Sequence, residues 1–212
     1  MVEFEMSESA IIQRLVASLA NVWATKLRVT DLTDDEQRRV DDALGVAEKW
    51  PVWLLRGPAV PVAELARLVK LHRVQHPFEV LLVDYLQLFP VEAEPDVSEA
   101  TVLGRISGQL KRLAYDESIL VIVVSSLNRQ TQFKRGDLDR LRGSGQLGFD
   151  ADWVLTMSAD PERRERESDA VVLRKIVMSK ARHGQGGAVQ WLAFDRPHPL
   201  LTPISSAEDL HG

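Results

Sequence analysis

Asp84 closes the run VLLVD at residues 80–84, where an unbroken apolar stretch delivers a single carboxylate. Reactive groups in open α/β sheets collect at the carboxyl ends of strands. A carboxylate there can hold Mg²⁺, mostly through water, because Mg²⁺ keeps several waters of its octahedral shell. The same pattern also describes an Asp that ends an ordinary strand. Glu5 closes a shorter run, VEFE, just before a Ser able to cap a helix. A carboxylate so placed can orient or deprotonate an attacking water, or simply sit well at a helix N-terminus. SSLNR at 125–129 follows the apolar run ILVIVV. Hydroxyls and an amide at that point can sense a terminal phosphate, and the same residues also build turns.

Two glycine-bearing or basic stretches complete the set. GSGQLG at 143–148 spells G-x-G-x-x-G. The dinucleotide fingerprint, however, needs a strand before it and a helix after it. Here a basic polar segment precedes and the apolar run WVLTM follows closely, so a loop is expected. Arg140 and Arg142 beside exposed glycine backbone can hold phosphates of a nucleic-acid strand, or be merely solvated. In KARHG at 180–184, Lys180 and Arg182 are two apart and point the same way on an extended segment. Two cations aimed together suit a neighbouring subunit's triphosphate, where an arginine finger is worth ~10³–10⁵ in rate. A basic surface hairpin has the same composition.

The elements that must position these groups follow from periodicity. Ser7 can cap a helix with Ile11, Ile12, Leu15, Val16 and Leu19 on one face. Thr33 and Glu36 have capping-box spacing and open a helix reaching about Lys49. Residues 52–55 suggest a short strand, and 61–75 a helix starting at a proline. The spacing of Leu103, Ile106, Leu110 and Leu113 predicts a helix within 97–115. Runs at 119–127 and 153–157 read as buried strands. Residues 161–169 read as an exposed tip, and 170–179 with 187–194 as a terminal antiparallel pair. Strands separated by helices mean an α/β domain with a mostly parallel sheet. Its continuous apolar strands suit a sheet covered on both faces.

Composition bounds the function. A chain of 212 residues with 45% apolar content builds one domain, or one with small extensions. Lys plus Arg is 26 against 31 Asp plus Glu, a net charge of −5. That excludes histone-like coating of nucleic acid but not local basic loops. The absence of cysteine excludes disulfides and cysteine-based zinc sites. No run of about 18 apolar residues and no signal-peptide pattern occurs, so a cytoplasmic protein without a membrane partner is expected.

Each stretch is common alone, but they occur in one order: EFEMSESAIIQRLVAS, EVLLVDYLQLF, VIVVSSLNR, LRGSGQLGFDADWVL and IVMSKARHGQGGAVQWLAFD. In that order the chain resembles the C-terminal motor domain of DnaB-type replicative helicases, hexameric RecA-like ATPases that unwind DNA. The resemblance runs from about residue 2 to residue 195, and the VDYLQL and SKARHG blocks are its most specific parts. It implies a RecA-like, mostly parallel sheet flanked by helices, with a C-terminal antiparallel hairpin. A partial motor domain would occupy residues 1–200 and a tail residues 201–212. Glu5 matches the glutamate that activates the attacking water, and Asp84 the Walker B magnesium carboxylate. Ser126 stands at the γ-phosphate sensor position, followed by Asn128 and Arg129. Arg142, Gly143 and Gly145 match the loop that grips single-stranded DNA. Lys180 and Arg182 match the fingers that reach the adjacent subunit's γ-phosphate. ATP and Mg²⁺ are the implied cofactors. Single-stranded DNA, a hexameric ring of like subunits, primase and a helicase loader are the implied partners.

The departures carry weight too. Ser126 stands where the family usually has Gln, and Gly143 and Gly148 where it usually has Glu. The loop after Asp84 is acidic at Glu92, Glu94 and Asp96, which does not favour DNA there. The phosphate loop, with its strand and helix, is expected before residue 1, as are the primase-interacting domain and linker helix. The phosphate-loop strand is therefore expected to be missing, and the chain alone to hydrolyse no ATP in its own site. An alternative is a degenerate, non-hydrolysing subunit that lends Lys180 and Arg182 to a partner ATPase or caps a ring. A RecA-type recombinase or clock-type ATPase is a third option, against which VDYLQL with SKARHG argues.

Overall fold

In the computed structural model, residues 1–3, 5–29, 31–56, 59–90, 97–126, 145–159 and 168–204 are described. Their helices are α1 (Glu8–Ala20), α2 (Ala24–Val29), α3 (Asp34–Ala47), α4 (Val62–Gln75), α5 (Glu99–Glu117) and α6 (Gly145–Asp150). Their strands are β1 (Val2–Glu3), β2 (Leu55–Arg56), β3 (Val80–Asp84), β4 (Leu120–Val123), β5 (Trp153–Ser158), β6 (Val171–Ala181), β7 (Val189–Asp195) and β8 (Leu200–Ile204). The chain divides into two compact units. One comprises Met1–Met6, Pro51–Val154 and Lys180–Gly184; the other comprises Ser7–Trp50, Leu155–Ser179 and Gln185–Gly212.

The first unit is built on a parallel sheet in the order β2-β1-β3-β4. Its register pairs Glu3 with Asp84 and Leu82 with Ile122. Pro61 precedes α4, where a missing N–H costs nothing. Ser98 caps α5 by accepting from the Thr101 N–H, and Ser118 ends it in a left-handed conformation. The expected α5 stripe of Leu103, Ile106, Leu110 and Leu113 is buried. It packs with Leu65 and Val69 of α4 and with Leu81 and Val83 of β3. Arg73 donates from one nitrogen to the Glu117 carbonyl (2.7 Å) and carboxylate (2.9 Å), joining the ends of α4 and α5.

At β4 the structure departs from the expectation of a sheet covered on both faces. Leu81 and Val83 are buried, but on the opposite face Leu120, Ile122 and Val124 are 45%, 44% and 44% exposed. The reason is topological. The crossings β2–α4–β3 and β3–α5–β4 step the same way across the sheet. Right-handed crossovers then place both helices on the same face. Strand β5 also departs from expectation. Val154 is buried, while Trp153, Leu155 and Met157 are exposed, so an apolar run does not make a strand buried on both sides.

In the second unit Ser7 caps α1, accepting from the Ala10 N–H at 3.2 Å. The buried face of α1 is not the expected one. Val16, Ala17 and Ala20 are buried, whereas Ile12, Leu15 and Leu19 are exposed. The two alanines leave room for α3, whose Val40 and Ala43 complete that small core with Val22. The capping box at Thr33 and Glu36 forms as expected. Glu36 also accepts from Lys26 of the unforeseen α2 at 2.6 Å. That bond, with the Thr33 backbone N–H, holds the Glu36 carboxyl down to about 2. Arg39 donates to the Ala20 and Asn21 carbonyls, satisfying the C-terminal end of α1. The second sheet has the order β5-β6-β7-β8. The expected terminal pair is present as β6 and β7, and β8 adds an antiparallel strand across the expected boundary at residue 200.

Candidate functional site

The carboxyl ends of β1, β3 and β4 form one acidic corner within the first unit. Asp84 ends β3 and is half-buried. Glu3 ends β1 in register with it and is only 3% exposed. Its carboxylate reaches forward along the chain and accepts from the Glu5 N–H at 2.7 Å and the Met6 N–H at 2.8 Å. These bonds shape the turn that carries Glu5, which is itself exposed. Burial pushes the Asp84 carboxyl above the usual carboxylate range, and the charges of Glu3 and Glu5 push it the same way. Among the described residues no cation lowers it. An external cation would relieve this crowding.

On the next strand, the Leu86 N–H donates to the Val124 carbonyl at 2.9 Å, folding the turn after β3 onto the end of β4. Gln87 then ties down the Ser pair. Its amide donates to Ser125 Oγ at 2.9 Å, and its oxygen accepts from the Ser126 N–H at 3.4 Å. Sequence reasoning missed Glu3 and Gln87. Gln87 lay inside the VDYLQL block, and Glu3 within VEFE, but only the register shows what either touches.

Lys180 and Arg182 come together elsewhere, at the carboxyl end of α6. Lys180 Nζ donates to the carbonyls of Gly148 (2.7 Å), Phe149 (3.1 Å) and Ala151 (2.8 Å). Arg182 donates from Nη2 to the Phe149 carbonyl at 2.9 Å, and its Nε lies 2.9 Å from Asp152. Asp152 also pairs with Lys111 of α5. Lys111 is the main cause holding the Asp152 carboxyl below the usual range, with Arg182 and Lys180 adding to it. These cations make no bond to the acidic corner among the described residues.

Gly145 is the first residue of α6, the short helix expected with the loop of residues 128–149, and GSGQLG thus runs into a helix at its end. Gln146 bonds Asp150 one turn on at 2.8 Å, and Lys180 satisfies the last carbonyls, which holds so short a helix. Asn128, Arg129, Arg142 and Gly143 lie outside the described residues, as do Glu92, Glu94, Asp96 and the tip at 161–167.

Among the described residues no group of three His, Cys, Asp or Glu side chains is disposed to hold a metal ion. A multi-carboxylate cage is therefore not what the corner offers. A single strand-end carboxylate backed by like charges fits a hydrated Mg²⁺, which needs one protein oxygen and keeps its waters. No helix of the described residues is long and apolar enough to cross a membrane.

A parallel sheet with an acid at the end of an inner strand is the plan of an α/β nucleotide-handling domain. Comparison with known proteins narrows this. The profile of the DnaB-like helicase C terminal domain matches residues 1–198, and the chain belongs to that family. It is similar to the replicative DNA helicase DnaB of Treponema pallidum (strain Nichols), 30% identical over 186 residues, covering 88% of this chain and 40% of that protein. It is similar to the replicative DNA helicase DnaC of Bacillus subtilis (strain 168), 27% identical over 211 residues, covering 98% of this chain and 46% of that protein. The chain thus spans less than half the length of these relatives. Among solved structures it resembles a DnaB-like replicative helicase reported with its interactions with primase (TM-score 0.82, 25% identity, 97% of this chain and 51% of that one). It also resembles a second solved chain, described as an ATPase domain (TM-score 0.82, 25% identity, 97% of this chain and 75% of that one). The sheet with its helices and the terminal antiparallel strands thus agrees with the RecA-like α/β fold that the sequence implied.

Proposed function

We propose that the chain works in ATP-dependent unwinding of DNA during replication, as part of the motor of a cytoplasmic, hexameric, DnaB-type helicase. The observation that carries this reading is the acidic corner, where Asp84 is crowded by Glu3 and Glu5 with no described cation opposing them. Asp84 would hold Mg²⁺ through water, and Glu5 would orient the water that attacks the γ-phosphate of ATP. Ser126, fixed by Gln87, would stand at the sensor position, followed by Asn128 and Arg129. Lys180 and Arg182 would be the cationic pair offered to an adjacent subunit's nucleotide. Arg142, Gly143 and Gly145 would track single-stranded DNA, and primase and a loader would be the ring's protein partners.

No G-x-x-x-x-G-K-[ST] occurs in these 212 residues. Backbone N–H groups of such a loop cradle the phosphates, and its lysine neutralises them. Hydrolysis at Asp84 therefore needs a phosphate-binding loop supplied from outside this segment. The same fact favours a second reading, a non-hydrolysing subunit that lends Lys180 and Arg182 to a partner ATPase or caps a ring. DNA-stimulated phosphate release separates the two. In the motor reading the purified segment is silent, and the protein with the loop turns over unless Asp84→Asn or Glu5→Gln is introduced. Turnover by the segment alone would remove the need for an outside loop. Turnover unaffected by both substitutions would sink the motor reading.

A further inference from the structure

We propose that Glu3 is a positioning residue: its buried carboxylate fixes the turn that aims Glu5 and stands as a second negative charge beside Asp84, strengthening the corner's hold on a divalent cation. This rests on the functional reading above and concerns a carboxylate that reading leaves unused.

Burial is the first sign. Among the described residues Glu3 is the only polar or charged one that is buried. A buried charge is costly unless it is hydrogen-bonded, and the register sets this one beside another acid, Asp84. An apolar or amide side chain would avoid that repulsion. The bonds show what the carboxylate gives in return. One oxygen, Oε1, accepts both the Glu5 N–H at 2.7 Å and the Met6 N–H at 2.8 Å. Both lengths are those of charge-assisted bonds, roughly twice as strong as neutral ones. The Glu5 side chain is exposed, and among the described residues no hydrogen bond or ion pair holds it. Its aim therefore comes from its backbone, and the backbone is held by Glu3.

The charge acts at a second place. Glu3 and Asp84 are partners at the ends of two adjacent parallel strands, and such strands lie about 4.8 Å apart. Burial is the main cause that holds the Asp84 carboxyl high, and the Glu3 charge comes next, ahead of Glu5. Like charges at that range repel, and a doubly charged cation replaces the repulsion by attraction to both. Asp84 is the half-buried one that can meet an ion, while Glu3 is occupied with two N–H groups and contributes through its field. The bonds and the charge are separable. An amide in place of the carboxylate keeps an oxygen for the two N–H groups and removes the field.

Hydrogen exchange on the full chain, followed by NMR, reads the first role. The Glu5 and Met6 amides are expected to be protected in the wild type. Glu3→Ala speeds their exchange about tenfold, the scale of a lost charge-assisted bond, while the amides of β3 stay protected. Glu3→Val, apolar and suited to a buried strand end, takes its place should the Ala variant fold poorly. Glu3→Gln keeps part of the protection. Mn²⁺, a paramagnetic stand-in for Mg²⁺, reads the second role by broadening the Val83 and Asp84 amide signals. All three variants need several-fold more Mn²⁺ than the wild type for equal broadening, because none carries the charge. In the protein that includes the phosphate-binding loop, Glu3→Ala lowers kcat by up to about 10²-fold, the effect of a group misplaced by roughly 1 Å. KM for ATP stays nearly unchanged, and Glu3→Gln recovers most of the rate at saturating Mg²⁺. Glu5 and Met6 amides indifferent to Glu3→Ala and Glu3→Val overturn the aiming role, as does a kcat that falls equally in the Ala and Gln variants at saturating Mg²⁺. A wild-type Mn²⁺ dependence in Glu3→Gln overturns the role of the charge. Turnover unaffected by Asp84→Asn would instead count against the motor reading and leave the exchange and Mn²⁺ readouts standing.

Discussion

The acidic corner and the cationic end of α6 are opposites in their electrostatics. At the corner, like charges meet: Glu3 and Glu5 raise the Asp84 carboxyl, and no described cation answers. At α6, unlike charges meet: Lys111, Arg182 and Lys180 hold the Asp152 carboxyl down. The first arrangement is unfinished and improves when a metal ion arrives. The second is complete, and holds its cation ready without help from a ligand.

Four measurements break or sharpen this contrast. The largest effect belongs to Arg182→Ala in the assembled protein, expected to lower kcat for nucleotide hydrolysis by ~10³ or more with KM little changed. Steady-state phosphate release checks it, and an unchanged kcat would argue against a role for Arg182 at a neighbouring subunit's nucleotide.

Next comes Glu3→Ala. It leaves the Glu5 and Met6 N–H groups without their carboxylate, a cost of about 1–3 kcal/mol, partly offset by relief of Asp84. Urea denaturation reads the difference, and a neutral result would mean that water or neighbouring groups replace Glu3.

The third test is a pair with opposite signs. Asp84 has a folded pKa above its ordinary value of 3.8, so its contribution to stability is present below that value and is lost as pH rises through the folded pKa. Asp84→Asn should therefore raise the melting temperature at pH near neutral, a gain that disappears in acid. Asp152 has a folded pKa below 3.8, so its contribution is present above that value and is lost as pH falls through the folded pKa. Asp152→Asn should lower the neutral melting temperature slightly, since solvent screens so exposed a pair, and this loss should also fade in acid. Melting curves across pH decide, and shifts of the same sign would erase the contrast.

The smallest effect is that of Glu3→Gln. The amide oxygen can still accept both N–H groups, but the charge is gone, so the Asp84 carboxyl should titrate lower. Carbon-detected NMR of that carboxyl follows it, and an unchanged titration would assign the shift to burial and Glu5.

How much of this was legible depended on distance along the chain. Asp84 and Glu5 stand at the ends of apolar runs, and the rule that reactive groups collect there needs no tertiary knowledge. The helix α3 showed its capping box, and α5 its apolar stripe, directly. Asp152 was invisible as a partner of Arg182, because β5, β6 and the residues between them separate the two and only the fold closes the gap. Glu3 was hidden by register, since a shift of one residue would turn it to the other face of the sheet. The alternation on α1 misled because bulk was read as burial, whereas Ala17 and Ala20 allow the close approach of α3. Sheet cover could not be read from β4 at all, since crossover direction, not the strand's own residues, decided which face received helices.

The bare face of β4 has a practical side. Leu120, Ile122 and Val124 stand in a row on a strand with a described neighbour on one side only. Such a strand is a template for pairing with any passing chain. Concentrated solutions of this segment should cloud on standing, and a lysine in place of Ile122 should keep them clear. The strand that carries the candidate sensor serines at its end is thus also the one expected to make the segment hardest to handle in the laboratory.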